Sequence, residues 1–163
     1  MRILGIDPGC VVTGYGLIEE LQGRIAHLDN GGIFPPTKAA FSDRIRYIHD
    51  HVETLIGKFS PEAVAIENIF VAKNVQSTLK LGHARGAAMV AVSRAGLPIF
   101  EYTALQVKQA VTGYGHAGKD QIQKMVQALL KLPGMAFADA SDALAVALCH
   151  ANSYRMMNKV KVG

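Results

Sequence analysis

The sequence lacks the features that define several large classes of protein. It has only two cysteines, Cys10 and Cys149, which lie far apart and outside any CxxC spacing. This excludes a disulfide framework and predicts two free thiols rather than a zinc site. No apolar run is as long as a membrane-spanning helix, and the first residues lack the charged-then-apolar pattern of a signal peptide. We therefore expect a cytoplasmic protein without a membrane partner.

The composition also excludes disorder and a multidomain chain. Charged residues make up only 18% of the 163 residues and hydrophobic residues 50%, which is typical of a globular protein. There is no internal repeat, low-complexity tract or linker. We predict a single domain over residues 1–155, followed by a short, basic and flexible tail at 156–163. The net charge of +4 suits a polyanionic partner, although it is by itself a weak indication.

The order of apolar patterns predicts a mixed α/β fold. The segments RILGID, TGYGLIEE and GRIAHLDNGGIF predict three strands in an antiparallel meander. Apolar residues then recur every three or four positions over 41–59, as on one face of a helix, and AVAIENI follows as a fourth strand. A helix over 75–95, a strand in LPIFEYT and three further helices complete the chain. We predict a five-stranded mixed sheet flanked by helices.

Four carboxylates stand at positions that favour a shared site. Asp7 and Glu67 each end a predicted strand, and if these strands are parallel neighbours, their C-terminal ends meet. Asp139 and Asp142 are three residues apart at the start of the last helix, which places both on one face. Asp7 alone also fits a turn, and Asp139 a helix cap. Glu101 ends a similar apolar run, but no partner suggests itself, and we interpret it as structural.

Acids clustered in this way predict a divalent-metal site. Four carboxylates repel one another unless cations lie between them, and hard oxygen ligands suit Mg²⁺ or Mn²⁺. Two such ions a few ångströms apart can activate a water molecule and stabilise the leaving oxygen of a phosphodiester. A basic protein with an acidic metal centre is the expected make-up of a nuclease, whose basic surface holds the phosphates.

Basic and aromatic residues in the middle of the chain are candidates for nucleic-acid contacts. Phe70, three residues after Glu67, is either packed into the protein or exposed to stack on a base. The helix over 75–95 has small residues nearly all round, which fits burial inside one domain or contact with a second copy. The candidate basic residues, most of which are ordinarily solvated, are Lys73, Lys80, Arg85, Lys108, Lys119 and Lys124.

Several segments resemble the RuvC family of bacterial Holliday junction resolvases in order and spacing. They are GIDPG with TGYG, IENIFVAKN, LKLGHARG, EYTALQVKQAVTGYGHAGK and DASDALA, and the resemblance covers residues 1–152. It implies an RNase H-like fold, a homodimer, and two Mg²⁺ ions per active site, with Mn²⁺ as a substitute. It also implies cutting of four-way DNA junctions by paired symmetric nicks that leave 5′-phosphates, in recombination and repair, with the RuvA–RuvB branch-migration complex as partner.

The resemblance also implies roles for individual residues. One departure stands after DPG, where relatives often carry a small hydroxyl residue and a basic residue and this chain has Cys10 and Val11. We do not predict for this chain any contact that relatives make there. The family's junction-contacting aromatic falls on Phe70. Its catalytic acids, which hold the metals, and its supporting lysines fall on Asp7, Glu67, Asp139, Asp142, Lys108 and Lys119. Further DNA contacts are expected from Lys73, Lys80 and Arg85.

Three other functions fit parts of the sequence. GIDPG and TGYG also resemble the phosphate loop of the actin and sugar-kinase superfamily, but those proteins enclose a nucleotide between two such domains, and 163 residues provide one. A small RNA-processing nuclease of the same fold is a nearer alternative. A junction-binding module that does not cut is the third, and the intact acids argue against it.

Overall fold

The computed structural model describes residues 1–68 and 74–161, with the backbone alone for 158–161. Two predicted DNA-contacting residues, Phe70 and Lys73, lie outside the described residues. Five strands form one mixed sheet in the order β3-β2-β1-β4-β5, in which β1 pairs antiparallel with β2 and parallel with β4. This confirms the predicted meander and mixed sheet. The strands are β1 (Arg2–Asp7), β2 (Thr13–Leu21), β3 (Arg24–Ile33), β4 (Ala63–Glu67) and β5 (Ile99–Tyr102).

Five helices flank the sheet. Local signals set several of their ends: Thr103 and Gln106 form a reciprocal capping box at the start of α3, and Gly113 ends that helix in the left-handed conformation. The helices are α1 (Phe41–Phe59), α2 (Val75–Arg94), α3 (Ala104–Thr112), α4 (Lys119–Leu130) and α5 (Ala138–Lys161). None of the described helices is both long and apolar enough to cross a membrane.

The predicted tail is in part helical. Helix α5 continues to Lys161, so the backbone of residues 156–161 is helical, and the flexibility of the tail stays a prediction. The basic composition of this segment led to the prediction, but methionine, lysine and asparagine after a long helix do not break it, since neither proline nor glycine intervenes. The domain boundary at residue 155 therefore does not coincide with the end of a helix.

The sheet separates two hydrophobic cores. Alternate residues of β1 point to opposite faces: Ile3 packs with α3, α4 and α5 on one face, and Leu4 and Ile6 pack with α1 and α2 on the other. All three of these side chains are fully buried. A strand covered on both faces has no solvent-facing side, which explains the nearly continuous apolar run in RILGID.

Helix α5 lies unusually close to the sheet. A Cβ atom added at Gly5 would stand 2.0 Å from the carbonyl oxygen of Ala143, and one added at Gly14 would stand 2.0 Å from the carbonyl oxygen of Asp139. Both distances are far below van der Waals contact, so only glycine fits at these points of β1 and β2. The missing side chains let the backbone of α5 rest on the backbone of the sheet.

Candidate active site

Two of the predicted acids meet at one edge of the sheet. The parallel pairing of β1 with β4 aligns Ile6 with Ile66, so the last residues of the two strands, Asp7 and Glu67, emerge side by side at the carboxyl edge. This is where open sheets with parallel neighbours place their sites. The condition set for the two acids to meet, that their strands are parallel neighbours, is fulfilled.

The first turn of α5 brings the other two acids to the same edge. Asp7 pairs with Gly14 across β1 and β2, and the backbone of Asp139 lies directly over Gly14. Asp139 and Asp142, three residues apart, lie at the N-terminal end of α5. The positive end of the helix dipole favours negative charge there. The four acids thus converge from three distant segments of the chain.

The electrostatics of Asp7 shows how closely the acids are grouped. Burial is the main cause that raises the pKa of Asp7 from 3.8 to about 7, and the charges of Asp142, Glu67 and Asp139 raise it further, in that order. Lys119 acts in the opposite direction. An aspartate that is half-protonated near neutral pH marks a site where negative charge is already crowded.

Two further acids feel the same surroundings. Burial and then the charge of Asp142 raise the pKa of Glu67, while Lys108 lowers it. Burial also raises the pKa of Asp142, against the lowering effect of Lys119, whose ammonium lies 3.3 Å from a carboxylate oxygen of Asp142. The charge of Asp142 is in turn the main cause that raises the pKa of Lys119. Both predicted lysines therefore act electrostatically on the acids.

A cavity of about 310 Å³ opens beside the acids. Its polar lining comes from four predicted site residues on four different elements: β4, α3, α4 and α5. Apolar side chains such as Val107 and Ile122 also line it. A cavity lined by both carboxylates and ammonium groups suits a phosphate that is bridged to the acids by cations. The four polar residues are Glu67, Lys108, Lys119 and Asp142.

The donor chemistry fits divalent cations. The clustered carboxylates supply hard oxygen ligands, and the raised pKa of Asp7 means that a positive charge there would be stabilising. Within residues 1–68 and 74–161, no group of three or more His, Cys, Asp or Glu side chains is already arranged to hold a metal ion. The ammonium of Lys119 lies 3.3 Å from a carboxylate oxygen of Asp142.

The turn after β1 is held by contacts that the sequence did not reveal. The fully buried Thr13 donates its hydroxyl to the carbonyl of Gly9 at 2.9 Å and accepts from the amide of Gly9 at 3.2 Å. Arg44 of α1 donates to the carbonyl of Cys10, and the thiol of Cys10 donates to the carbonyl of Lys80 on α2 at 2.8 Å. Cys10, at the departure from the family pattern, thus ties this turn to α2. Both cysteines are free, as predicted.

The two remaining predicted DNA-contacting residues in the described chain, Lys80 and Arg85, differ in exposure and in their contacts. Lys80 is exposed on α2, which is compatible with the prediction. Arg85 is not a free surface cation: its side chain is only 17% exposed, and its guanidinium pairs with Glu101. The sequence suggested no partner for Glu101, and the structure shows that its partner is Arg85. DNA binding by Lys80 and Arg85 stays a prediction. For Arg85, the guanidinium N–H groups that would bind a phosphate already donate to acceptors within the protein.

The sheet order, the parallel β1–β4 pair and the acids at its carboxyl edge define an RNase H-like protein with a nuclease-type acidic site. The family model described as crossover junction endodeoxyribonuclease RuvC matches residues 3–150. This chain therefore belongs to the RuvC family. The predicted family and the predicted endodeoxyribonuclease class are both confirmed.

Individual relatives agree with this assignment. The chain is 58% identical over 156 residues to the crossover junction endodeoxyribonuclease RuvC of Trichlorobacter lovleyi, covering 96% of this chain and 88% of the relative. It is 55% identical over 161 residues to the protein of that name in Geobacter sulfurreducens, covering 99% and 98%. A solved structure of Thermus thermophilus RuvC in complex with Holliday junction substrate superposes with a TM-score of 0.90 at 35% identity, over 96% of both chains. The predicted RNase H-like fold is confirmed.

Proposed function

We propose that this chain is a metal-dependent endonuclease that resolves four-way DNA junctions. The observation that carries the proposal is the convergence of Asp7, Glu67, Asp139 and Asp142 at one edge of the sheet, where Asp7 has its pKa raised to about 7. A purely structural cluster of acids at this density would destabilise the fold with no benefit. The relatives named for crossover junctions supply the substrate class.

The acids hold Mg²⁺, and Mn²⁺ substitutes for it because both ions prefer carboxylate oxygen. Two such ions, when bound, would supply activation of the attacking water and stabilisation of the departing 3′-oxygen, with a 5′-phosphate left at each cut. Glu67 reaches the cavity from β4 and Asp142 reaches it from α5. Asp7 and Asp139 complete the set from β1 and the first residues of α5.

The two cavity lysines bind the phosphate. Lys108 lines the cavity from α3, and Lys119 stands at the first position of α4 with its ammonium on Asp142. The ammonium of Lys119 offsets the charge of Asp142 and supplies donors for a non-bridging oxygen of the phosphate.

Junction selectivity comes from a homodimer. A four-way junction has approximate two-fold symmetry, so two copies of the chain present one acidic site to each of two opposite strands. Helix α2 is the proposed contact between copies, because Leu79 is exposed on it beside Gly82 and Gly86, and nothing lies within 4 Å of a Cβ added at either glycine. Paired symmetric nicks follow from this arrangement, since a linear duplex reaches only one site at a time.

Other parts of the proposal rest on the family alone. Phe70 contacts the bases near the crossover, and Lys73 and Lys80 contact phosphates around the site. The RuvA–RuvB branch-migration complex delivers the junction in the cytoplasm, during recombination and repair. Phosphate contacts give affinity without sequence information, so binding should weaken steeply as salt is raised.

A cleavage assay tests the proposal. The substrate is an end-labelled four-way junction with a mobile core, which presents many sequences at the crossover, beside a linear duplex of the same sequence. We expect paired symmetric nicks in the junction only, dependent on Mg²⁺ or Mn²⁺ and abolished in Asp7→Asn and Glu67→Gln. The matched control is Asp120→Asn, an exposed first-turn acid of α4, which should cut like the unmodified protein. Nicking by Asp7→Asn, or no nicking by any protein, would contradict the proposal.

A further inference from the structure

Arg85 contacts the backbone of Glu67 and the side chain of the residue that follows it. Its Nε donates to the backbone carbonyl of Glu67 at 3.4 Å, and its Nη2 donates to the side-chain oxygen of Asn68 at 3.2 Å. The same Nη2 forms an ion pair with Glu101 on β5. Its other terminal nitrogen lies 3.1 Å from the sulfur of Met89, one turn further along α2. The guanidinium therefore joins α2, the end of β4 and β5 at one point.

The sheet register explains why these groups meet. Ile66 of β4 pairs with Glu101 of β5, and Glu67 pairs with Tyr102. The amide of Asn68 donates to the carbonyl of Tyr102 at 2.7 Å, so the backbone is tied to β5 directly after Glu67. Arg85 adds a second attachment to the same stretch from the helix above. The backbone around Glu67 is thus held by β5 on one side and by α2 on the other.

The geometry suits an arginine and no other cation. A guanidinium is planar and carries five donors at fixed angles, so one side chain can serve a carbonyl, an amide oxygen and a carboxylate together. A lysine ammonium in this place could not span the same three acceptors. The side chain of Arg85 is 17% exposed, against 68% for Arg94 on the same helix. These donors are directed into the protein, which separates Arg85 from the lysines predicted to contact DNA.

We infer that Arg85, supported by Glu101, is a positioning residue for the acid Glu67. It fixes the backbone from which Glu67 reaches the cavity and does not itself contact DNA. This inference rests on the proposed function, because it concerns the alignment of a proposed metal ligand. A misplacement of about 1 Å in such a group is enough to slow a reaction by roughly 100-fold.

The experiment measures three quantities for each of four variants. The first is the melting temperature, and the second is the affinity for a four-way junction without divalent ions at several salt concentrations. The third is the single-turnover nicking rate with saturating Mg²⁺, at a temperature well below the melting temperature of every variant. The variants are Arg85→Met, which keeps the stem and removes the donors, Arg85→Lys, Glu101→Gln, and Arg94→Met. Arg94→Met is the matched control, since the contact that Arg94 makes within the described residues is an exposed 3.9 Å pair with Glu53.

We expect Arg85→Met to nick roughly 100-fold more slowly while its junction affinity and salt dependence stay unchanged. Arg85→Lys should recover only a small part of the rate, and Glu101→Gln should lose about tenfold, because the fork keeps its other two acceptors. Arg94→Met should match the unmodified protein in all three measurements. Glu101→Gln keeps the inference testable if Arg85→Met does not fold.

Two results would overturn the inference. One is an unchanged nicking rate in both Arg85→Met and Glu101→Gln. The other is weaker junction binding by Arg85→Met with a salt slope reduced by about one, which is the signature of a lost phosphate contact. A parallel Glu67→Gln sample separates this failure from failure of the proposed function: if Glu67→Gln nicks at the full rate, the proposed site itself is wrong, and if it is inactive, only the inference falls.

Discussion

Helices α2 and α5 are alike in sequence and differ in what surrounds them. Both are rich in alanine and other small residues. Helix α5 is buried nearly all round over residues 140–151, against the sheet on one side and α3 and α4 on the other. Helix α2 is buried along one side only, and its other side leaves Val75, Leu79 and Val90 more than half exposed.

The glycines show what the difference means. At α5 the glycines lie in the partner, since Gly5 and Gly14 of the sheet make room for the helix. At α2 they lie in the helix itself, and Gly82 and Gly86 have nothing within 4 Å of the place where a Cβ would stand. Small residues therefore indicate a close approach but do not identify the partner. The partner of α5 is inside the chain, whereas that proposed for α2 is a second copy.

The largest effect on stability is expected at Asp7, the strand residue beside the N-terminal end of α5. Asp7 has a folded pKa of about 7 against an ordinary 3.8, so its ionisation opposes folding increasingly as pH rises from 4 through 7. Each unit corresponds to about 1.4 kcal/mol. Without divalent ions, Asp7→Asn should raise the free energy of unfolding by roughly 4 kcal/mol at pH 8 and change it little at pH 4.

Urea denaturation at pH 4, 6 and 8 measures this difference, with Asp120→Asn as the exposed control. Adding Mg²⁺ at pH 8 should narrow the gap, because the metal stabilises the unmodified protein and not the variant. Equal stabilities at pH 8 without metal would show that Asp7 is better solvated and less crowded by the other acids than the structure indicates.

The second effect concerns a buried histidine in the middle of α5. His150 is 2% exposed, accepts or donates one hydrogen bond to the hydroxyl of Tyr102 at 2.7 Å, and stacks on Phe100. Its Nε2 has no partner in the described part of the chain, and burial lowers its pKa from 6.5 to about 4. A lowered histidine pKa means that stability is lost as pH falls from 6.5 to 4, by roughly 3 kcal/mol in all.

The variant His150→Phe keeps the ring in place and removes the titration. Its free energy of unfolding should no longer depend on pH through this histidine. The difference in free energy of unfolding between the variant and the unmodified protein should therefore change by roughly 3 kcal/mol between pH 7 and pH 4. Carboxylates with raised pKa values change stability in the opposite direction, and the difference between the two proteins cancels them. Parallel curves over this range would place His150 in contact with water.

The third effect tests the contact between α5 and the sheet. In Gly14→Ala the new methyl group meets the carbonyl oxygen of Asp139, so the first turn of α5 must move away from Asp7. We expect a loss of roughly 1–3 kcal/mol in stability and roughly 100-fold in nicking rate. The control is Gly57→Ala in α1, where nothing lies within 4 Å of the added Cβ. Full activity in Gly14→Ala would show that α5 is free to shift.

The smallest effect on stability is expected on α2, the helix with one exposed side. Gly86→Ala meets nothing in the described chain, so it should stabilise α2 by about 1 kcal/mol within one copy, as Gly57→Ala should stabilise α1. If α2 is the contact between copies, Gly86→Ala should at the same time weaken dimerisation, which analytical ultracentrifugation measures over a range of concentrations. Unchanged dimerisation in Gly86→Ala would place the contact elsewhere.

The comparison also shows how far the sequence leads. The convergence of Asp7 with Glu67 was predictable, because two apolar strands that each end in an acid need only be parallel neighbours. The pairing of Asp139 with Asp142 followed from helical spacing alone. The family resemblance then placed Lys108 and Lys119 beside them, and in the structure both lysines line the same cavity as Glu67 and Asp142, with Lys119 paired to Asp142.

The features that were missed depend on tertiary placement. The inward direction of Arg85 requires the β4–β5 register and the position of α2, and in the sequence its charge is indistinguishable from a solvated one. The role of Gly14 requires knowing which helix covers β2. The extension of α5 to Lys161 was missed because a basic composition was taken as evidence of a tail, although nothing in the segment ends a helix.

The docking of α5 on Gly14 also decides when the site comes into existence. Asp7 and Asp139 are 132 positions apart in the sequence, and two of the four acids belong to the last helix. A chain leaves the ribosome N-terminus first, and contacts between distant segments form late because they require closure of a long loop. The group of four acids therefore contains only Asp7 and Glu67 until nearly the whole chain has been synthesised. A nascent or truncated chain that ends before α5 lacks two of the four acids of the proposed site, so on this proposal the nuclease becomes active only when its fold is complete.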